Sequence, residues 1–104
     1  NGVVTTPTGF KEAFQQFAEG GWMSLSADPT YGGQGLPHSL GLLFSEMIGS
    51  SNYAWGMYPG LTQGAMAAIH AHGTEEQKQT YLAQMTEANW TGNMCLAEAH
   101  CGTD

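Results

Sequence analysis

Fifteen glycines divide this chain, and their placement constrains the fold more than any other feature of the sequence. They stand between segments of regular apolar spacing rather than in one low-complexity run, so they act as breaks between elements of secondary structure. A chain of 104 residues that is interrupted this often is expected to form one domain at most, built from short elements.

Four segments carry apolar residues at the 3.6-residue period of an amphipathic helix. They are residues 9–19, 36–50, 58–72 and 74–85. We expect Thr8 to cap the first helix and the glycine pair that begins at Gly20 to end it. Pro37 suits the first turn of the second helix, and Thr74 with Gln77 forms a capping box for the fourth. The spacing therefore predicts a mainly α chain.

Aromatic side chains follow the same helical spacing, which predicts that they belong to the core rather than to a ligand cage. They are Phe10, Phe14, Phe17, Tyr81 and Trp90.

Two segments are not helical in pattern. Residues 22–37 are rich in glycine and proline and predict a long, shaped loop, and residues 90–97 predict a strand that begins near the end of the sequence. A single strand after four helices leaves both of its edges unpaired. From this imbalance we expect the chain to be a fragment of something longer, or to complete a sheet with a partner.

The charge pattern argues against several classes of partner. Two lysines, Lys11 and Lys78, face nine acidic side chains, the formal net charge is −7, and arginine is absent. Such a chain lacks the cationic surface that nucleic acid or anionic lipid requires. Its longest apolar runs fall far short of the roughly 20 residues of a membrane span. Residues 1–8 show neither the basic nor the apolar region of a leader peptide, which predicts a cytoplasmic protein without membrane insertion.

The cysteines do not indicate a disulfide framework or a metal site. Cys95 and Cys101 are too few to staple a small domain, and a reducing compartment is expected. Glu98, His100 and Asp104 lie nearby, but the spacing is not that of paired zinc ligands, so no metal is predicted. Cysteine–histidine nucleophilic catalysis has only composition in its favour.

Three motifs, in order and at matching separation, resemble the acyl-CoA dehydrogenase family, and in particular its bacterial 3-methylmercaptopropionyl-CoA dehydrogenase type. They are Ala-Asp-Pro-Thr-Tyr-Gly-Gly-Gln-Gly-Leu at 27–36, His-Gly-Thr-Glu-Glu-Gln-Lys-Gln-Thr-Tyr-Leu at 72–82 and Thr-Gly-Asn-Met-Cys-Leu-Ala-Glu-Ala-His-Cys-Gly-Thr-Asp at 91–104. The resemblance implies part of the helical N-terminal domain over residues 1–89. It implies that residues 90–104 are the first strand and flavin-contacting turn of a middle β-domain.

The same resemblance implies a site for FAD and for an acyl-CoA substrate. Carried over by position, Met94 and Leu96 contact the flavin through backbone groups, and Gly102 and Thr103 contact cofactor phosphate and the pantetheine of the substrate. In the third predicted helix, Gly60 and Gly64 leave room either for the acyl chain or for close helix packing; the sequence favours neither.

Two positions depart from the family pattern. Ala97 replaces the threonine whose hydroxyl bonds the flavin, and Ala99 replaces the proline of the turn. These changes predict a weaker cofactor contact and a less preorganised turn. The glutamate that acts as catalytic base in the family has no counterpart here, so no catalytic residue is assigned; Glu98 is not that base.

Two functions follow as expectations. The first is a fragment of an FAD-dependent acyl-CoA dehydrogenase that is inactive alone, passes electrons to an electron-transfer flavoprotein when complete, and forms a homo-oligomer at full length. The second is a non-catalytic helical interaction module derived from that family, an alternative that Ala97 and Ala99 favour.

Overall fold

The computed structural model describes residues 2–102, and these residues are mainly helical, as predicted. Helix α1 spans Phe10–Glu19, α2 spans His38–His72 and α3 spans Glu75–Thr86. Two short 3₁₀ turns, Trp22–Ser24 and Pro29–Tyr31, lie between α1 and α2.

The ends of the helices follow the sequence in most places. Helix α1 stops at the glycine pair, where the Gly20 amide donates to the Gln16 carbonyl. Helix α3 opens with the predicted capping box: the Thr74 hydroxyl accepts from the Gln77 amide, and the Gln77 side chain accepts from the Thr74 amide. The prediction that Thr8 caps α1 was wrong. Gly9, at a φ of 86°, precedes the helix and no side chain caps it.

The second and third predicted helices are joined across a kink into α2, because helical structure fills the predicted gap at 51–57. The hydroxyls of Ser50 and Ser51 both donate to the Met47 carbonyl, which ends the first half of the helix. Asn52 then has extended backbone angles, and its side chain accepts a hydrogen bond from the Trp55 amide at 3.1 Å. Asn52 is therefore the N-cap of the second half, residues 53–72.

Aromatic rings of α1 hold the two halves of α2 together. Phe17, which is buried, stacks on Phe44 of the first half at 5.9 Å between ring centroids and meets Trp55 of the second half edge-on at 5.4 Å. Trp22 also stacks on Phe44, at 4.7 Å between ring centroids. Because one aromatic cluster touches both sides of the kink, it determines the angle at which the halves of α2 meet.

The core lies where α2 and α3 pack together. Its buried apolar side chains in the described part of the chain are Phe17, Met23, Met66, Leu82 and Met85. Phe14 lies partly buried against them. Tyr81 and Trp90 were wrongly predicted to be core, since both are nearly half exposed and pack on each other at the surface.

The predicted strand at 90–97 is not formed within residues 2–102. The segment has no regular secondary structure, because no strand of the described chain lies beside it and a strand requires hydrogen-bonded neighbours. One isolated antiparallel bridge follows, between Glu98 and Cys101.

Candidate cofactor and substrate site

A shaped loop packs beside the kinked helix and forms one wall of a groove. The loop, residues 25–36, is closed on itself by backbone hydrogen bonds from the amides of Gly33, Gly35 and Leu36 to the carbonyls of Asp28, Ala27 and Leu25. A Cβ at position 33 would overlap the Ala27 carbonyl, so glycine is required there for the first and last parts of the loop to lie this close together. The predicted loop is therefore a rigid element rather than a flexible connection.

The groove has a volume of about 630 Å³ and is bounded by the loop, both halves of α2 and the second half of α3. Its walls are mostly apolar, with Trp22, Leu25 and Phe44 on one side and Met66 and Leu82 on the other. Among the residues carried over from the family resemblance, Met94, Leu96, Ala97, Gly102, Gly60 and Gly64 do not line it.

Polar side chains cluster at one end of this groove. His70 and Asp28 lie 3.0 Å apart between ring nitrogen and carboxylate oxygen, joining the second half of α2 to the loop. Tyr31 donates its hydroxyl to Glu75 at 3.3 Å, and Lys78 pairs with the same carboxylate at 3.0 Å. The loop is thus attached to both α2 and α3.

These contacts explain the shifted pKa values in the cluster. The hydrogen bond to His70, followed by the bond from the Thr30 amide, lowers the pKa of Asp28 from 3.8 to about 2. The hydrogen bond from Lys78 lowers the pKa of Glu75. Desolvation, and then the charge of Glu75, raises the pKa of Tyr31. All of these groups are solvent-accessible. The Asp28–His70 and Tyr31–Glu75 pairs, here called the clasp, attach the loop to α2 and α3 at the surface.

Sequence reasoning missed this cluster. It did not connect His70 with Asp28, 42 residues earlier, because nothing local in the sequence pairs them. Asn52 was also missed, although the Ser-Ser-Asn run before a helical segment is a recognisable capping signal.

The predicted flavin-contacting residues lie on the segment after α3. Met94, Leu96 and Ala97 are exposed and lie in a stretch without regular secondary structure. Within residues 2–102, no hydrogen bond uses the backbone amides or carbonyls of residues 93–97. Gly102 lies just beyond, next to the bridge, and Thr103 lies outside the described residues.

The turn without proline is nevertheless closed. The Glu98 amide donates to the Cys101 carbonyl at 2.8 Å, and the Cys101 amide donates to the Glu98 carbonyl at 3.3 Å. Ala99 and His100 occupy the tip. Two backbone hydrogen bonds thus order a turn for which the sequence predicted less preorganisation.

Gly60 and Gly64 lie on an exposed face of the second half of α2. A Cβ built at either position would meet no atom of the described chain within 4 Å. Close packing inside this chain therefore does not explain them, and they do not line the groove. Met57 and Leu61 extend the same exposed surface.

Two further observations concern the part of the chain that the structure describes. It contains no group of three or more histidine, cysteine or acidic side chains placed to hold a metal ion. Its helices include none with the length and apolar character needed to cross a membrane.

The described residues thus form a kinked helical domain with a loop attached to it, followed by an exposed segment after the last helix. Residues 5–89 match the family model described as "Acyl-CoA dehydrogenase, N-terminal domain". The chain belongs to the acyl-CoA dehydrogenase family.

Named relatives extend this similarity along the chain. The chain is 39% identical over all 104 residues to the 3-methylmercaptopropionyl-CoA dehydrogenase of Ruegeria pomeroyi, and covers 18% of that protein. It is 33% identical over 101 residues, 97% of its length, to a broad-specificity linear acyl-CoA dehydrogenase of Mycobacterium tuberculosis, and covers 16% of it. Mitochondrial isovaleryl-CoA dehydrogenase of Pongo abelii is 26% identical over 95 residues, 90% of the chain and 22% of the relative. The chain thus spans about a fifth of the length of these relatives.

Proposed function

We propose that this chain is part of the helical N-terminal domain of an FAD-dependent acyl-CoA dehydrogenase, followed from residue 90 by the first strand and flavin-contacting turn of its middle β-domain. The complete enzyme would convert an acyl-CoA thioester to its α,β-enoyl form and pass the electrons to an electron-transfer flavoprotein. The observation that carries the proposal is the exposed backbone of residues 93–97, which directly follows the family's helical domain and leaves its polar groups available.

The described residues fit this cofactor through their backbone. Met94 and Leu96 are exposed residues, and their amides and carbonyls make no hydrogen bond within the described chain, so they can meet the polar edge of a flavin ring. FAD, when bound, supplies the hydride acceptor for the reaction. Ala97 offers its backbone amide but no hydroxyl, which weakens this contact by about 0.5 to 1.5 kcal/mol relative to threonine.

The chain's own part in the reaction is to bind and to orient. Gly102 and Thr103 are the positions that the family resemblance assigns to phosphate or pantetheine. The sequence has two lysines, Lys11 and Lys78, and Lys78 is already paired with Glu75. Further cationic partners for the phosphates, and the catalytic base, belong to other parts of the enzyme. The chain alone is accordingly inactive.

The exposed apolar surface supports a role inside a larger assembly. Leu42, Leu43, Met47 and Met57, all on α2, are more than half exposed, and apolar side chains grouped at a surface commonly mark an interaction site. We expect other domains or subunits of a homo-oligomer to cover it. The proposed location is the bacterial cytoplasm.

The decisive experiment compares flavin binding by the full-length protein and by residues 1–104. We expect the full-length protein to purify with FAD, to show visible flavin absorbance, and to be bleached by an acyl-CoA substrate. The 104-residue chain should show none of these. A folded full-length protein that takes up no FAD even when it is supplied would refute the proposal.

That same negative result would support the second candidate, a non-catalytic helical interaction module. Ala97 and Ala99 favour it, because both family side chains that shape the flavin contact are missing. Binding of FAD by the full-length protein would exclude it.

A further inference from the structure

One hydrogen bond, between Thr62 and Gly92, holds the chain in place where it passes from α3 into the exposed segment. Thr62, in the second half of α2, is 0% exposed. Its hydroxyl oxygen accepts a hydrogen bond from the Gly92 amide at 3.0 Å. The two residues are 30 positions apart, so this bond ties the segment after α3 to the middle of a different helix.

Gly92 reaches Thr62 only because it has no side chain. A Cβ at position 92 would lie 2.6 Å from the Ala65 Cβ, 3.1 Å from the Met85 Cε and 3.3 Å from the Thr62 Cα. The backbone at Gly92 therefore lies directly in the seam between α2 and α3. A larger residue would lift the chain out of that seam and lengthen the bond to Thr62.

The residues before Gly92 are also held, whereas those after it are not. The amides of Asn89 and Trp90 both donate to the Gln84 carbonyl at the end of α3, and the Trp90 ring packs on Tyr81. After Gly92, the next hydrogen bonds of the described backbone are those between Glu98 and Cys101. Gly92 is thus the last fixed point before the exposed segment.

We infer that the Thr62 hydroxyl is a positioning group for the cofactor-contacting backbone, an inference that rests on the proposed function. Met94 comes two residues after Gly92, a span of at most about 7 Å. Over so short a span, the location of Gly92 restricts where the backbone groups of Met94, and after it Leu96, can lie. Thr62 touches neither cofactor nor substrate and acts through Gly92.

The Thr62→Val variant in the full-length protein tests this inference. Valine keeps the shape of threonine but removes the acceptor, leaving the Gly92 amide unpaired in a partly buried place. We expect FAD to bind about tenfold more weakly, and the visible circular dichroism of the bound flavin to change. Thr62→Ser keeps the hydroxyl, so this variant should retain both the FAD affinity and the visible circular dichroism of the wild-type protein. Thr80→Val is the matched control, since the Thr80 hydroxyl bonds within α3, to the Glu76 carbonyl, and is exposed.

The outcomes separate this inference from the proposed function. If the wild-type protein binds no FAD, the proposed function fails. If it binds FAD and Thr62→Val binds it equally well with the same spectrum, the positioning role is refuted, even if that variant melts at a lower temperature.

If Thr62→Val does not fold, amide hydrogen exchange on the wild-type protein still tests the positioning role of Thr62. In the FAD-free full-length protein we expect the Gly92 amide to be protected, and the protection of the Met94 and Leu96 amides to rise when FAD is added. Rapid exchange at Gly92 in the FAD-free protein would overturn the inference.

Discussion

Replacing the two exposed helical glycines with alanine distinguishes the explanations for their presence. Gly60 and Gly64 occupy the interior of a helix, where glycine is less favourable than alanine by about 1 kcal/mol. Neither position brings a new Cβ within 4 Å of another atom of the described chain, so no steric cost offsets this gain. Each substitution should therefore stabilise the fold by about 0.5 to 1 kcal/mol, and the double variant by about twice as much.

Gly56 provides a matched control on the same half of the helix. A Cβ there would lie 2.7 Å from the Ile48 Cγ2, across the kink. Overpacking of this kind costs about 1 to 3 kcal/mol, which cancels or exceeds the helix-propensity gain. We expect Gly56→Ala to be neutral or destabilising, while the two exposed sites gain stability.

Thermal and urea unfolding followed by far-ultraviolet circular dichroism measure these differences. For a domain of this size, 1 kcal/mol corresponds to a change in Tm of about 4 to 8 °C. Destabilisation by Gly60→Ala or Gly64→Ala in residues 1–104 would show that our account of their surroundings is wrong.

Repeating the substitutions in the full-length enzyme tests the role in substrate binding. If Gly60 and Gly64 make room for the acyl chain, each added methyl group should lower kcat/KM for bulkier acyl thioesters by about tenfold and spare the shortest ones. Unchanged chain-length preference in a stabilised variant would exclude that role.

Three other predictions follow from the loop, the clasp and the family comparison. Gly33→Ala should destabilise the fold by about 2 to 4 kcal/mol, because the new Cβ displaces the Ala27 carbonyl and breaks its hydrogen bond; a urea midpoint equal to that of wild type would contradict this. The pKa of Asp28 is lowered in the folded state from 3.8 to about 2, so its stabilising effect is present above about pH 4 and is lost as the pH falls towards 2. Asp28→Asn should flatten urea midpoints measured across that range, and an unchanged pH dependence would show that the pair with His70 contributes nothing. Ala97→Thr in the full-length protein should tighten FAD binding several-fold by restoring a hydroxyl; equal affinity would count against placing the flavin there.

Local signals in the sequence predicted the helices well and their connections poorly. The apolar period identified α1, α3 and most of both halves of α2, and the capping box at Thr74 was correct in both of its hydrogen bonds. The break at 51–57 was wrong because Asn52 alone interrupts the helix, and a single capping residue needs no loop. Tyr81 has core spacing but lies at the surface, since periodicity identifies a helix face without showing what packs against it.

The sequence by itself determined the helical class, the shaped loop and the family resemblance, because periodicity, glycine placement and motif order are local properties of the chain. The family was confirmed by the match over residues 5–89. Assignment of Met94, Leu96, Ala97, Gly102 and Thr103 to the cofactor stays a prediction.

Only the tertiary structure decided which distant residues meet. It joined Asp28 to His70 across the groove and Thr62 to Gly92 in the seam between α2 and α3. It also showed that residues 93–97 form no strand within the described chain, since a strand depends on hydrogen-bonded neighbours and no strand of the described chain lies beside them. Contacts between positions 30 or 42 residues apart depend on how helices pack, and no local pattern encodes them.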